Sequence, residues 1–216
     1  MRIACLVIGY AFGLIQTGYW YSKLRGVNLR EHGSGNFGTT NAMRVMGKKA
    51  GAIVFVGDVL KVFLACLVTV LLFNGGKFYQ GSGLLILIYT GFGVVLGHNF
   101  PFYLNFKGGK GIAATAAMLL VLDVRIAAIC LVVFILVVAL TKYVSLGSIV
   151  ISLVFLITWI VLGQTGSLSL TPSLLPESYV VIAVWVALNI WQHRANIRRL
   201  LAGTENKIGQ KKKRKE

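Results

Sequence analysis

A chain of 216 residues with 56% hydrophobic positions, 13% charged ones and a mean hydropathy of +0.78 departs far from a soluble domain and fits a polytopic membrane protein. The net charge of +16 would suggest nucleic acid in a soluble chain; here it has to be read loop by loop against the membrane, and no nucleic-acid partner is expected. Cys5, Cys66 and Cys130 stand singly inside apolar runs, which indicates neither a disulfide framework nor a zinc site.

The first predicted element is the run from Ile3 to Tyr21, which lacks the small-residue cleavage site of a signal peptide and ends in the interfacial aromatics Tyr19, Trp20 and Tyr21. It is read as a retained helix. Judged against the roughly 20 residues of a bilayer crossing, seven spans are expected, at about 3–21, 52–73, 82–98, 108–123, 125–141, 145–164 and 178–192. A single helix over 112–141 would be about 45 Å long against a hydrocarbon core of ~30 Å, so Asp123-Val124-Arg125 is read as a tight hairpin. Counted from Ile112 to Asp123 the fourth helix measures only about 18 Å, so it is expected to begin near Lys107, with the preceding glycines at headgroup depth.

The resulting fold is all-α, with seven transmembrane helices, the N-terminus outside and the C-terminus cytoplasmic. Charge supports that orientation: 18 basic residues fall on the inner side and only Arg2, Lys77 and Arg125 outside. Residues 1–209 form one integral-membrane domain, and 210–216, which contain KKKRKE, form a basic cytoplasmic tail.

Four polar clusters share the inner side. The first, Glu31 to Gly51, holds an anion cradle in which Ser34, Asn36 and Asn41 supply donors and Arg44 lies one helical turn beyond. Arg44 suits bidentate phosphate binding, or serves only to set topology. Its Gly33, Gly35 and Gly38 match G-x-G-x-x-G formally, but no apolar strand precedes them, so a dinucleotide site is not indicated.

The second cluster, GHNFPFYLNFKGGKGIAAT from Gly97 to Thr115, places Gly108, Gly109 and Gly111 between and after Lys107 and Lys110 and runs into a helix start. Glycine lets backbone approach a ligand closely, and a helix N-terminus offers free N–H groups to an anion. The third is TKYVSLGSI, with Ser145 and Ser148 at a helix start. The fourth, from Gln192 to Gly209, holds His193 and Asn196, where an imidazole can orient or deprotonate a hydroxyl. Asp58 and Lys61 lie one turn apart within the second span and are read as an ion pair. No histidine pair has metal-ligand spacing and the acids are scattered, so neither a metal nor a cofactor is expected.

The order GSGNFGTTNAMR, GHNFPFYLNFKGGKGIAAT, KYVSLGSI and HRANIRRLLAGTE, with apolar segments between, resembles the bacterial membrane acyltransferases that use acyl phosphate to acylate glycerol 3-phosphate. The resemblance covers essentially the whole chain; Thr39 stands where Ala is usual and Ala195 where Glu is common. It implies transfer of a fatty acyl group to the 1-hydroxyl of glycerol 3-phosphate, yielding lysophosphatidic acid and inorganic phosphate, in the bacterial inner membrane with the site facing the cytoplasm.

By the same resemblance Ser34, Arg44, Lys107, Ser145, His193 and Asn196 are the active-site residues. Arg44, Lys107 and Asn196 are assigned to phosphate, Ser34 and Ser145 to orientation, the 108–111 backbone to the acyl phosphate, and the hydroxyl proton to His193 or a substrate phosphate. The residues five after His32, His98 and His193 are Phe37, Tyr103 and Arg198, so the His-x-x-x-x-Asp base of other acyltransferases is unavailable. An organic-phosphate transporter is the competing class; an alcohol phosphotransferase would need an acidic metal cluster that this chain lacks.

Overall fold

Helices follow the apolar runs. In the computed structural model, which describes residues 1–77 and 82–209, no strand occurs among the described residues; the expected basic tail lies outside them. The helices are α1 (Arg2–Gly13), α2 (Thr17–Leu24), α3 (Thr39–Met46), α4 (Lys48–Asn74), α5 (Gly83–Asn99), α6 (Ile112–Leu122), α7 (Val124–Thr141), α8 (Val144–Gln164), α9 (Leu175–Gln192) and α10 (Arg194–Leu201). Among the described residues, six stretches are long and apolar enough to cross a membrane: Arg2–Leu24, Lys48–Asn74, Gly83–Leu104, Val124–Thr141, Val144–Gln164 and Pro172–Gln192.

Two expected spans differ from the structure. The first is interrupted: the chain leaves helical geometry between α1 and α2, with Gln16 at φ −95°, ψ 83°. There the Ile15 carbonyl accepts from Lys61 Nζ (2.9 Å), and the Gln16 amide donates to the His98 carbonyl (2.9 Å). A lysine on α4 thus takes up a carbonyl at the break, and the Gln16 side chain bridges the break to the end of α5. The fourth does not begin near Lys107 but at Ile112, because Gly111 adopts φ +75°, a left-handed conformation that stops the helix from extending backwards. At 11 residues α6 is about 16 Å long, too short to cross a hydrocarbon core by itself.

The hairpin after α6 forms as expected and has a simple cause. Asp123 is the only residue between α6 and α7, sits in extended backbone, and accepts from the N–H groups of Arg125 (2.8 Å) and Ile126 (3.4 Å) as the N-cap of α7. Arg125 closes over it, its guanidinium bonding both Asp123 and the Ser167 carbonyl.

The bundle is organised around α5, which is buried along nearly its whole length, whereas α7 buries only Ile126, Ala127 and Cys130. Apolar surface facing lipid gains little from burial, so contact between spans depends on close backbone approach. α1 and α5 achieve it through glycine. A Cβ on Gly9 would lie 2.0 Å from the Thr90 carbonyl oxygen, and one on Gly93 2.2 Å from that of Leu6. On the other side of α5, Phe155 meets Trp159 and Trp185 edge-on, and the two indole N–H groups find Ser178 Oγ and Thr115 Oγ1, both at 3.1 Å.

The α1–α5 contact is therefore sensitive to a single methyl group. Gly93→Ala is expected to lower the thermal midpoint of the purified protein, with a cost at the upper end of the ~1–3 kcal/mol typical of overpacking. Gly38→Ala, where a Cβ meets nothing within 4 Å, is expected to leave the midpoint nearly unchanged.

Candidate active site

The segments that carry the candidate residues meet at one end of the bundle. In the loop before α3, Gly33 at φ +64° brings the backbone so close to Asn41 that a Cβ would sit 2.1 Å from Asn41 Oδ1. The buried Asn41 amide accepts the Ser34 N–H (2.8 Å) and donates to the carbonyls of Leu29, His32 and Asn36 (3.3, 3.1 and 2.9 Å). Asn41 thus folds the loop, with both of its side-chain polar atoms bonded to loop backbone. Asn36 Nδ2 reaches Ser34 Oγ at 3.4 Å, so these two side chains act together.

Arg30 ties this loop to the glycine turn. Its guanidinium lies 4.8 Å from the Phe37 ring centroid and donates to the carbonyls of Leu104 (3.0 Å) and Lys107 (2.5 Å). The turn itself docks on the end of α5: Gly108 N–H donates to the Asn99 carbonyl (3.0 Å) and Gly109 N–H to that of His98 (3.1 Å). These two N–H groups are committed to the end of α5, and both glycines line the space between the segments. Their role is close approach, since a Cβ on Gly108 would lie 2.0 Å from the His98 oxygen. The N–H groups of Lys110, Gly111, Ile112, Ala113 and Ala114 have no backbone acceptor and remain for an anion, the first helical bond being Thr115 N–H to the Gly111 carbonyl (2.7 Å). Asn105 and Phe106 precede the turn at φ +53° and +55°, a conformation that costs a non-glycine residue about 1–3 kcal/mol.

A pocket of about 260 Å³ opens between these segments, lined by Arg30, Asn36, Asn99, Lys107, Gly108, Gly109, Trp191 and Arg194 among others. Asn99 is 1% exposed, and neither of its side-chain polar atoms has a protein partner. A buried amide in that state calls for a ligand or water. Arg194 stacks on Trp191, 3.9 Å from its centroid. A larger and more open hollow, about 460 Å³, lies beyond Arg30 against Tyr19, Lys23 and Phe37 and includes none of the candidate residues.

Lys107 lines the pocket, whereas Lys110 turns toward α10 and donates to Asn196 Oδ1. Asn196 Nδ2 in turn donates to Glu205 Oε1 (2.9 Å), whose other oxygen accepts from Arg199 Nε (2.7 Å). Burial pushes the Lys110 ammonium down to about 8; Glu205 opposes the shift, and Arg199 and Arg44 reinforce it. Arg44, itself exposed, is thereby within electrostatic reach of this group.

His193 is buried, and its Nδ1 lies 2.7 Å from the Asn189 carbonyl. The carbonyl can only accept, so Nδ1 carries the proton and Nε2 keeps a lone pair. Burial, then the charge of Lys110, lower its pKa to about 4, and the imidazole is neutral at physiological pH. Ser145 begins α8 with a buried hydroxyl that has no partner and no hydrogen bond to the other candidate residues. Its loop is joined to the Glu205 segment by Ile208 N–H donating to the Lys142 carbonyl (2.8 Å).

Residues 3–203 match the family model described as "Glycerol-3-phosphate acyltransferase". The chain belongs to that family. A glycerol-3-phosphate acyltransferase of Clostridioides difficile is 43% identical over 97% of both chains, and one of Thermoanaerobacter sp. strain X514 is 40% identical over 95% of this chain and 94% of its own. The crystal structure of PlsY, an integral membrane glycerol 3-phosphate acyltransferase in its glycerol 3-phosphate form, superposes with a TM-score of 0.80 at 34% identity over 96% of each chain. Its lysophosphatidic acid form gives 0.77 at 33% identity. This member of the family is thus an integral membrane acyltransferase of phospholipid biosynthesis.

Arg30, Asn99 and Glu205 were missed in the sequence. Asn99 stood inside the stretch already singled out, but sequence alone does not separate an asparagine ending a helix from one facing a cavity. Glu205 had a usable signal, as the lone acid between Arg194 and Lys215.

An ammonium depressed to about 8 is charged below that pH and loses its charge above it. Binding of inorganic phosphate, read as the rise it causes in the thermal midpoint, should therefore weaken by up to about tenfold between about pH 7.5 and 9.5. Lys110→Arg, whose guanidinium stays charged, should flatten that dependence.

Proposed function

We propose that this acyltransferase moves a fatty acyl group from acyl phosphate to the 1-hydroxyl of glycerol 3-phosphate, releasing lysophosphatidic acid and inorganic phosphate. The observation that carries the proposal is the division of the two lysines of the glycine turn. Lys107 faces the pocket with Arg30 and Arg194, and Lys110 faces Asn196 near Arg44 and Arg199. Two cationic groups on one turn suit two anionic reactants held side by side, and glycerol 3-phosphate and lysophosphatidic acid are the ligands named for the PlsY structures.

The site needs no covalent intermediate, because phosphate is already a good leaving group. The glycerol oxygen attacks the acyl carbonyl, forming the ester C–O bond, and the bond from the acyl carbon to the phosphate oxygen breaks with its electron pair leaving on phosphate. The free N–H groups at Lys110, Gly111 and the start of α6 suit the oxyanion that develops, and Lys107 the charge of the departing phosphate. His193 Nε2 accepts the hydrogen bond of the attacking hydroxyl and fixes its direction. With a pKa of about 4 it is a weaker proton acceptor than the departing phosphate, on which the proton ends.

In this scheme Ser34, with Asn36, and Ser145 orient substrate, and Arg44 and Asn196 hold phosphate. Asn41 and the glycines at 108 and 109 shape the backbone around them. Asn99, buried and unpartnered in the pocket, is added as a donor to the bound phosphate.

The proposed topology has seven crossings, with α6 as the fourth and the glycine turn before it at headgroup depth, the N-terminus outside and the C-terminus cytoplasmic. The site then faces the cytoplasm from the bacterial inner membrane, residues 1–209 form one catalytic domain and 210–216 a basic tail. The bias of basic residues toward the loops at the candidate-site end supports this orientation.

Purified protein given palmitoyl phosphate and glycerol 3-phosphate should form lysophosphatidic acid without added metal, and no product should form from palmitoyl thioesters. Lys107→Ala and His193→Ala should each lower kcat/KM by about 10²-fold or more. Unchanged turnover in both variants would remove the site assignment. Substrate flux into proteoliposomes without ester formation would favour a transporter.

A further inference from the structure

Beneath the glycine turn lies a charged cluster that the scheme above does not use. Asp58 and Lys61 of α4 are 1% and 2% exposed inside a membrane span. The sequence suggested a simple pair, but Lys61 Nζ has three acceptors: Asp58 Oδ1 (2.8 Å), the Ile15 carbonyl (2.9 Å) and His98 Nδ1 (2.7 Å). An ammonium can only donate, so Nδ1 of His98 accepts and the imidazole proton sits on Nε2.

That Nε2 faces the turn, because a Cβ on Gly109 would lie 2.1 Å from it. The backbone of His98 is tied to the same turn: its carbonyl accepts from Gly109 N–H (3.1 Å) and from Gln16 Nε2 (2.9 Å). The break in the first span, the middle of α4 and the end of α5 therefore meet at one ammonium, and the turn rests on the imidazole ring. A pair kept only for stability would be replaceable by well-packed apolar residues at little cost. The three-way coordination does something more specific, since it fixes the ring in one orientation.

We propose that Lys61 and His98 are positioning residues for acyl transfer. Lys61 holds the His98 ring, the ring sets the height of the Gly108–Gly111 turn, and that height aims Lys107 and Lys110 at the two anionic reactants. The proposal rests on the reading of the turn as the reactant-binding element.

The test uses the full-length protein and the variants Asp58→Asn/Lys61→Met, which is neutral and of similar volume, and Lys61→Arg, which keeps the charge opposite Asp58. Three quantities are measured for each: the thermal midpoint, its rise on adding glycerol 3-phosphate, and kcat and KM with palmitoyl phosphate as donor. The expected result is a folded protein in which the glycerol 3-phosphate KM rises, the ligand-induced midpoint rise shrinks, and kcat/KM falls by about 10²-fold, the scale of a misplacement of about 1 Å.

His98→Asn separates folding from positioning. Its amide oxygen still accepts from Lys61, so the fold is kept, but the ring under Gly109 is lost and the kinetic defect should persist. Wild-type kcat/KM and KM in any one of the folded variants overturns the proposal. Should the wild-type protein itself fail to use palmitoyl phosphate, the donor assignment fails, and the glycerol 3-phosphate midpoint shifts still decide the role of Lys61 and His98.

Discussion

The structure depends on how the last carbonyls of α5 are satisfied. A helix ending inside a membrane protein leaves carbonyl groups that neither lipid nor a regular fifth turn can pair. Here the Gly108 and Gly109 N–H groups pair those of Asn99 and His98, and Gln16 from the broken first span shares the His98 oxygen. Only residues without side chains can come this close, because a Cβ on either glycine would collide with His98. The requirement for hydrogen bonds at a helix end thus fixes where the functional turn lies. The lysines on that turn inherit their positions from it.

Charge is then distributed outward from this contact. Lys107 and Lys110 are three residues apart, yet Arg30 holds the carbonyl of the first and Asn196 receives the ammonium of the second. Glu205 sits behind Asn196 and Arg199 as a single buried acid among cations. Its carboxylate offsets the positive charge of this corner without standing in the pocket. The same economy explains why His193 is neutral: a charged imidazole beside Lys110 would add repulsion without adding a donor that the site lacks.

Much of this was legible in the sequence, and the failures have physical causes. The apolar runs gave the helices, and Asp123 followed by Arg125 gave the hairpin, because capping is a local property. The interruption at 14–16 was not legible, since it arises from Lys61 and His98, distant in sequence and unrelated by any period. The start of α6 differs from the expectation for a related reason: bilayer thickness calls for a longer helix, whereas the left-handed Gly111 and the docking of 108 and 109 on α5 decide where it begins. The motifs marked the site's segments, but which atoms face a ligand is a tertiary matter. Asn41 braces its loop from within, and Asn99 carries an unpaired buried amide, and neither property follows from residue type or spacing.

The brevity of α6 has a consequence for traffic between water and lipid. In the proposed orientation a helix about 16 Å long leaves its N-terminal turn below the membrane surface rather than above it. A fatty acyl donor can then present its head to the turn while its chain stays among its neighbours, avoiding the ~0.8 kcal/mol that each methylene would cost on withdrawal into water. The product, still anchored by the same chain, diffuses away sideways, and only the small polar reactant and the released phosphate have to travel by the aqueous route.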